Sequence, residues 1–120
     1  MIFTVDTSSF VKIGIVYILE IQLEDKPLVK VGYTSRDKVE DRICEILVGI
    51  WKRYRVFPQC YAKRYKEVPN PTQIEAQLHR DLNEFRYKTK YKFSGSTEFF
   101  SVPLDTVVDL YDKLLQKDDT

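Results

Sequence analysis

Ile13-Gly14-Ile15-Val16-Tyr17-Ile18-Leu19 and Leu28-Val29-Lys30-Val31-Gly32-Tyr33-Thr34 stand on either side of a polar Glu24-Asp25-Lys26-Pro27 segment. Both stretches are rich in β-branched and aromatic residues, which pack well on a pleated surface, and the connection is short. The pair is therefore expected to form a hairpin with Tyr17 near Lys30. Downstream, Asp37 can cap a helix with Glu40 three residues later, and Val39, Ile43, Ile46, Leu47 and Ile50 fall on one face of it. This helix is expected to run to about Tyr54. Arg42 lies about 80° from the centre of the apolar stripe, so its stem can pack while its guanidinium reaches outward.

A third strand is expected from about Gln59 to Val68, ending before Pro69-Asn70-Pro71. A second helix starts there: Asn70 suits the N-cap, Pro71 the first helical position and Gln73 the capping box. Ile74, Leu78, Leu82 and Phe85 form its buried stripe, and Glu75, His79 and Arg86 lie along one flank. A short strand, Thr97 to Val102, follows Ser94-Gly95-Ser96, and a last helix runs from about Asp105 to Lys117. The expected fold is α/β: a small, largely antiparallel three-stranded sheet flanked by helices, in the order β-β-α-β-α-(β)-α. One domain spans residues 1–120, with its core at about 14–102.

No apolar run approaches the roughly 18 residues needed to span a bilayer, and the N-terminus lacks a charged region followed by an apolar core. A cytoplasmic protein without a membrane partner is expected. Cys44 and Cys60 are far apart and lack metal-ligand spacing, so both read as ordinary thiols. The net charge of +1 conceals an asymmetry: residues 1–50 carry −2, residues 51–93 carry +7 and residues 94–120 carry −4. In the basic third, Lys52, Arg53, Arg55, Lys63, Arg64, Arg86 and Lys88 alternate with aromatic residues. Cations neutralise phosphates and aromatic faces stack on bases, so this composition suits a nucleic-acid partner. Solvated strand faces and half-buried core aromatics would produce the same composition.

The order of these segments resembles the GIY-YIG nuclease superfamily, and within it the T5orf172-like branch found in phages, over roughly Val16 to Phe100. The first signature falls on Ile15-Val16-Tyr17, the second on Lys30-Val31-Gly32, the helical arginine on Arg42 and the metal-binding glutamate on Glu75. The branch's second-strand pattern matches Lys30-Val31-Gly32-Tyr33-Thr34, and its late motif matches Glu98-Phe99-Phe100. Two positions depart: Ile15 replaces the name-giving glycine, and Lys30 replaces the second tyrosine.

The resemblance implies metal-dependent hydrolysis of DNA phosphodiesters, in the host cytoplasm if the chain is phage-encoded. Mg²⁺ or Mn²⁺ would sit on Glu75, since such an ion keeps several waters and needs few protein ligands. Arg42 would grip phosphate oxygens through its planar, permanently charged fork. Tyr17 would bond the attacking water or the phosphate, provided that cations such as Lys30 and Arg42 lower its pKa. Lys30 either holds the phosphate, which is the better match, or accepts a proton from water if desolvated. His79 is a second possible base, or one half of a surface pair with Glu75. Gly32 marks a close approach beside Tyr33 and Thr34, and Glu98 either supports the site or caps a turn. A homodimer is compatible with this activity, since one site must act twice to break a duplex. Two other readings stay open: a binding module that kept the fold and lost hydrolysis, and a phage-type protein that acts on another protein.

Overall fold

The computed structural model describes residues 13–118; the N-terminal stretch read above as lacking a charged region and apolar core lies outside them. The hairpin forms. Strand β1 (Gly14–Leu23) pairs antiparallel with β2 (Lys26–Thr34), with Tyr17 opposite Gly32 and Leu19 opposite Lys30. The turn is tighter than expected, because Lys26 and Pro27 belong to β2 and only Glu24 and Asp25 remain to reverse the chain. Both are left-handed, at φ 54° and 61°, the backbone twist that a two-residue hairpin requires. The carboxylate of Glu24 accepts hydrogen bonds from Tyr54 Oη at 2.5 Å, Tyr87 Oη at 2.7 Å and the Lys90 N–H at 2.8 Å, which offsets the cost of that conformation.

After the hairpin come α1 (Val39–Tyr54), β3 (Cys60–Val68), α2 (Pro71–Asp81), 3₁₀ turns at Asn83–Phe85 and Ser96–Glu98, β4 (Phe99–Phe100) and α3 (Leu104–Asp118). The sheet has four strands in the order β3-β1-β2-β4, every neighbouring pair antiparallel, where three were expected. The fourth is the short strand expected at Thr97 to Val102, trimmed to two residues because Ser96–Glu98 turn in a 3₁₀ helix, and it joins the sheet by pairing with β2. It is nevertheless firmly seated: Phe99 and Phe100 are fully buried and belong to the cores on opposite faces of the sheet.

One face packs Ile15, Tyr17, Leu19 and Leu28 against Val39, Ile46 and Ile50 of α1. The other packs Val16, Ile18, Val29 and Val31 against Ile74 and Leu78 of α2 and Val107, Tyr111 and Leu115 of α3. Strand β1 reads as an unbroken apolar run because both of its faces are covered.

The helix ends differ from expectation. Lys38, not Asp37, occupies the cap position of α1, and neither it nor Asn70 before α2 makes a side-chain cap bond. Asn70 instead donates to Gln73 Oε1 at 3.4 Å. Helix α2 stops at Asp81, and Phe85 sits in a 3₁₀ turn, so Arg86 leaves the flank it was expected to share with Glu75 and His79. No helix among the described residues is long and apolar enough to cross a membrane.

Tyr111 ties α3 to the sheet. Its hydroxyl donates to Val16 O at 2.7 Å and accepts from the Lys66 N–H at 2.9 Å, joining the two paired residues of β1 and β3. Tyr111→Phe removes both of these hydrogen bonds, so urea unfolding is expected to show a loss of about 1–3 kcal/mol.

Candidate active site

Strand β4 pairs with β2 only at Val29 and Lys30. Beyond that point the outer edge of β2 has no strand partner among the described residues, and side chains of α2 cover it. His79 donates from Nε2 to Val31 O at 2.8 Å. A carbonyl can only accept, so Nε2 carries the proton and Nδ1 is the lone-pair nitrogen of the neutral ring. Burial lowers the His79 pKa and favours that neutral form. One turn earlier, the Glu75 carboxyl lies against the Tyr33 N–H. Glu98 enters from the 3₁₀ turn before β4. The result is a cluster in which ligand atoms of Glu75, His79 and Glu98 lie within 4.8 Å of one another.

Glu75 is strained electrostatically. Its Oε2 is buried without a hydrogen-bond partner. Burial, followed by the Glu98 charge, pushes its pKa from 4.5 to about 7. Two carboxylates and a neutral imidazole are donors that could hold a divalent cation, whose charge would relieve both the orphaned oxygen and the crowding of like charges. The Val31 carbonyl bonded to His79 also matches the outer contact that commonly orients a metal-binding imidazole.

Lys30, Tyr17 and Arg42 adjoin this cluster on the α1 side. Lys30 is fully buried, and its Nζ lies 2.5 Å from Glu98 Oε1, 3.5 Å from Tyr17 Oη, and over the rings of Tyr17 and Phe99. That burial is incompatible with direct phosphate contact in this conformation; the ammonium is the internal counter-ion of Glu98. Tyr17 is also fully buried, and desolvation pushes its pKa up to about 12, against the lowering that a basic role would need. Its hydroxyl bonds the Arg42 guanidinium. Arg42 retains an exposed portion and donates to Ser94 Oγ at 3.1 Å, with Glu45 at 3.5 Å. It is the cation of the group best able to meet a phosphate.

Two glycines make this packing possible. A Cβ on Gly32 would lie 2.6 Å from Tyr17 Cζ, so glycine lets the phenol cross β2. Gly95 has φ +88°, and a Cβ there would lie 2.8 Å from Lys30 Nζ.

A family model, the T5orf172 domain, matches residues 14–115. The chain belongs to the T5orf172 domain family. This is a phage-type, nuclease-like family, and the match runs from the start of β1 into α3, including every residue of the cluster. Comparison with curated proteins and with solved structures finds no match.

Within this T5orf172 domain, Tyr17, Lys30, Arg42, Glu75, His79 and Glu98 converge, whereas the basic residues expected to bind nucleic acid do not. Lys52, Arg53 and Arg55 sit at the C-terminal end of α1, where the first two also offset the helix dipole. Lys63 and Arg64 lie on β3, the opposite edge of the sheet from β4, and Arg64 is paired with Asp112 at 3.0 Å. Arg86 and Lys88 lie in the segment leading to Glu98, and Arg86 donates to Thr97 O at 2.5 Å. Of the supporting residues, Tyr33 lends its N–H to Glu75, while the Thr34 hydroxyl accepts from the Arg36 N–H at 3.2 Å. The sequence reading missed Ser94 and Gly95, having taken that segment only as a turn, and it did not anticipate the three-donor bond to Glu24.

Proposed function

We propose that this T5orf172 domain is a metal-dependent endonuclease of the GIY-YIG type that hydrolyses DNA phosphodiester bonds in the cytoplasm. The observation that carries the reading is the convergence of Glu75, His79 and Glu98 at the edge of β2 beyond its pairing with β4, with the Arg42 guanidinium presented beside them. Glu75 and Glu98 would hold Mg²⁺ or Mn²⁺ with His79 as a third ligand. When bound, the ion supplies positive charge against the phosphate oxygens at the point where negative charge develops.

Arg42 grips a nonbridging oxygen and stabilises the same charge from the α1 side. Tyr17 fixes the guanidinium through its hydroxyl, and Lys30 fixes Glu98. Both act from beneath the site, without touching substrate. Cutting a duplex takes two copies of the domain or two encounters.

A second reading, a nucleic-acid-binding module without hydrolysis, is favoured by one contact: Lys30 already neutralises Glu98, which weakens the demand for a metal. Nicking of supercoiled plasmid by purified protein separates the two. Cleavage with Mg²⁺ or Mn²⁺ that stops in EDTA, and that falls on the order of 10²-fold in Arg42→Lys, is the expected result. Binding without cleavage under every metal condition would leave only the module.

A further inference from the structure

The segment between the two 3₁₀ turns encloses a cavity of about 420 Å³ next to Glu98, and none of the residues lining it is acidic. Arg86, Lys88, Lys90 and Lys92 supply four cations around it, with Tyr87 and Thr97 among the remaining walls. Arg86 and Lys90 have other engagements: Arg86 stacks over Phe100 and donates to Thr97 O, and Lys90 lies over the Tyr91 ring. Lys88 and Lys92 form no ion pair among the described residues, and both are exposed. The cavity therefore combines the unpaired ammonium groups of Lys88 and Lys92 with aliphatic lysine stems and the ring of Tyr87, whose hydroxyl bonds Glu24 and one face of which lies under Lys26 Nζ.

That combination suits a phosphate joined to a flat, largely apolar group. Thr97 is both a wall of the cavity and the residue before Glu98, so a strand with one nucleotide here would continue directly towards the cluster. We propose that this cavity is a subsite for an unpaired nucleotide next to the scissile phosphate, its phosphate held by Lys88 and Lys92 and its base against Tyr87. The proposal rests on the nuclease reading for the word scissile and on nothing else in it. A base inside the cavity is out of the duplex stack, so the subsite selects single-stranded or locally opened DNA.

The test measures binding in EDTA, where no cleavage is needed. Fluorescence anisotropy of a short fluorescein-labelled DNA single strand, and of the duplex of the same sequence, is recorded with the wild-type chain. The same is done with Lys88→Glu, Lys92→Glu, and Lys113→Glu at an exposed position of α3 as a control of equal charge change. The single strand is expected to bind more tightly than the duplex. Each of the first two reversals should weaken it about tenfold or more, and the control less than about twofold.

Lys88→Gln and Lys92→Gln serve as milder replacements should a reversal perturb folding. Each should lower the slope of log affinity against log salt by about one. Tighter duplex binding, or losses no larger than that of Lys113→Glu, would overturn the subsite even if the protein nicks plasmid. Lysine-dependent binding by a protein that never cleaves would instead keep the subsite and discard the nuclease.

Discussion

Glu75→Gln is expected to reduce metal-dependent plasmid nicking by a factor on the order of 10³ or more, while stabilising the metal-free protein at neutral pH. The two effects have one origin. Glu75 is half-buried beside Glu98 with an unpartnered Oε2, a poor place for a charge without a cation and a good one with it. Its pKa is raised from 4.5 to about 7 in the folded state. The folded protein therefore holds this proton more tightly than the unfolded chain does. The resulting stability is fully present below pH 4.5 and is lost as the pH rises through about 7.

For a fully enclosed group that gap would be worth roughly 3 kcal/mol, and partial exposure of Glu75 reduces it to roughly 1–2 kcal/mol. His79, with its lowered pKa, works in the opposite direction, so the quantity to measure is the difference between wild type and Glu75→Gln. Urea unfolding in EDTA at pH 5 and pH 8 should show wild type losing ground to the variant at the higher pH. Adding Mn²⁺ at pH 8 should reverse the order, because only the wild type binds it. Parallel pH profiles would mean that the two carboxylates do not crowd each other, and the metal assignment would lose its physical basis.

The hairpin, the three helices and the long β3 strand were legible because each announces itself within one segment, through composition or helical spacing. Arg42 and Glu75 were singled out through motif order, and the fold places both around Tyr17. What could not be read was anything set by a contact across the chain. The edge pairing of Phe99–Phe100, the bond from His79 to Val31 O and the three-donor clamp on Glu24 join residues far apart in sequence. The caps also differ: Lys38 rather than Asp37 holds the cap position of α1, and the Asn70 amide bonds the Gln73 side chain rather than the end of α2. Lys30 was read as a phosphate contact or, if desolvated, a base; the sheet turns it inward, between the Tyr17 and Phe99 rings.

That placement gives Lys30 a testable signature. Were it a phosphate contact, Lys30→Met would lower DNA affinity and the salt slope while leaving stability almost unchanged. As the internal counter-ion of Glu98, it should behave in the reverse way. Lys30→Ala removes a fully buried side chain and leaves Glu98 beside Glu75 without its ion-pair partner, a loss expected near 3 kcal/mol at pH 7.5 in EDTA. Lys30→Met keeps most of the stem and should lose less, since only the charge is missing. In both variants the two carboxylates lose the cation closest to them, so Mn²⁺ should raise the melting temperature more than it does in wild type. DNA binding measured in EDTA on the folded variants should stay within about threefold of wild type, because the ammonium never reached the surface. A stable Lys30→Met protein with weakened DNA binding would return Lys30 to the phosphate. It would also mean that the buried ion pair opens when substrate arrives.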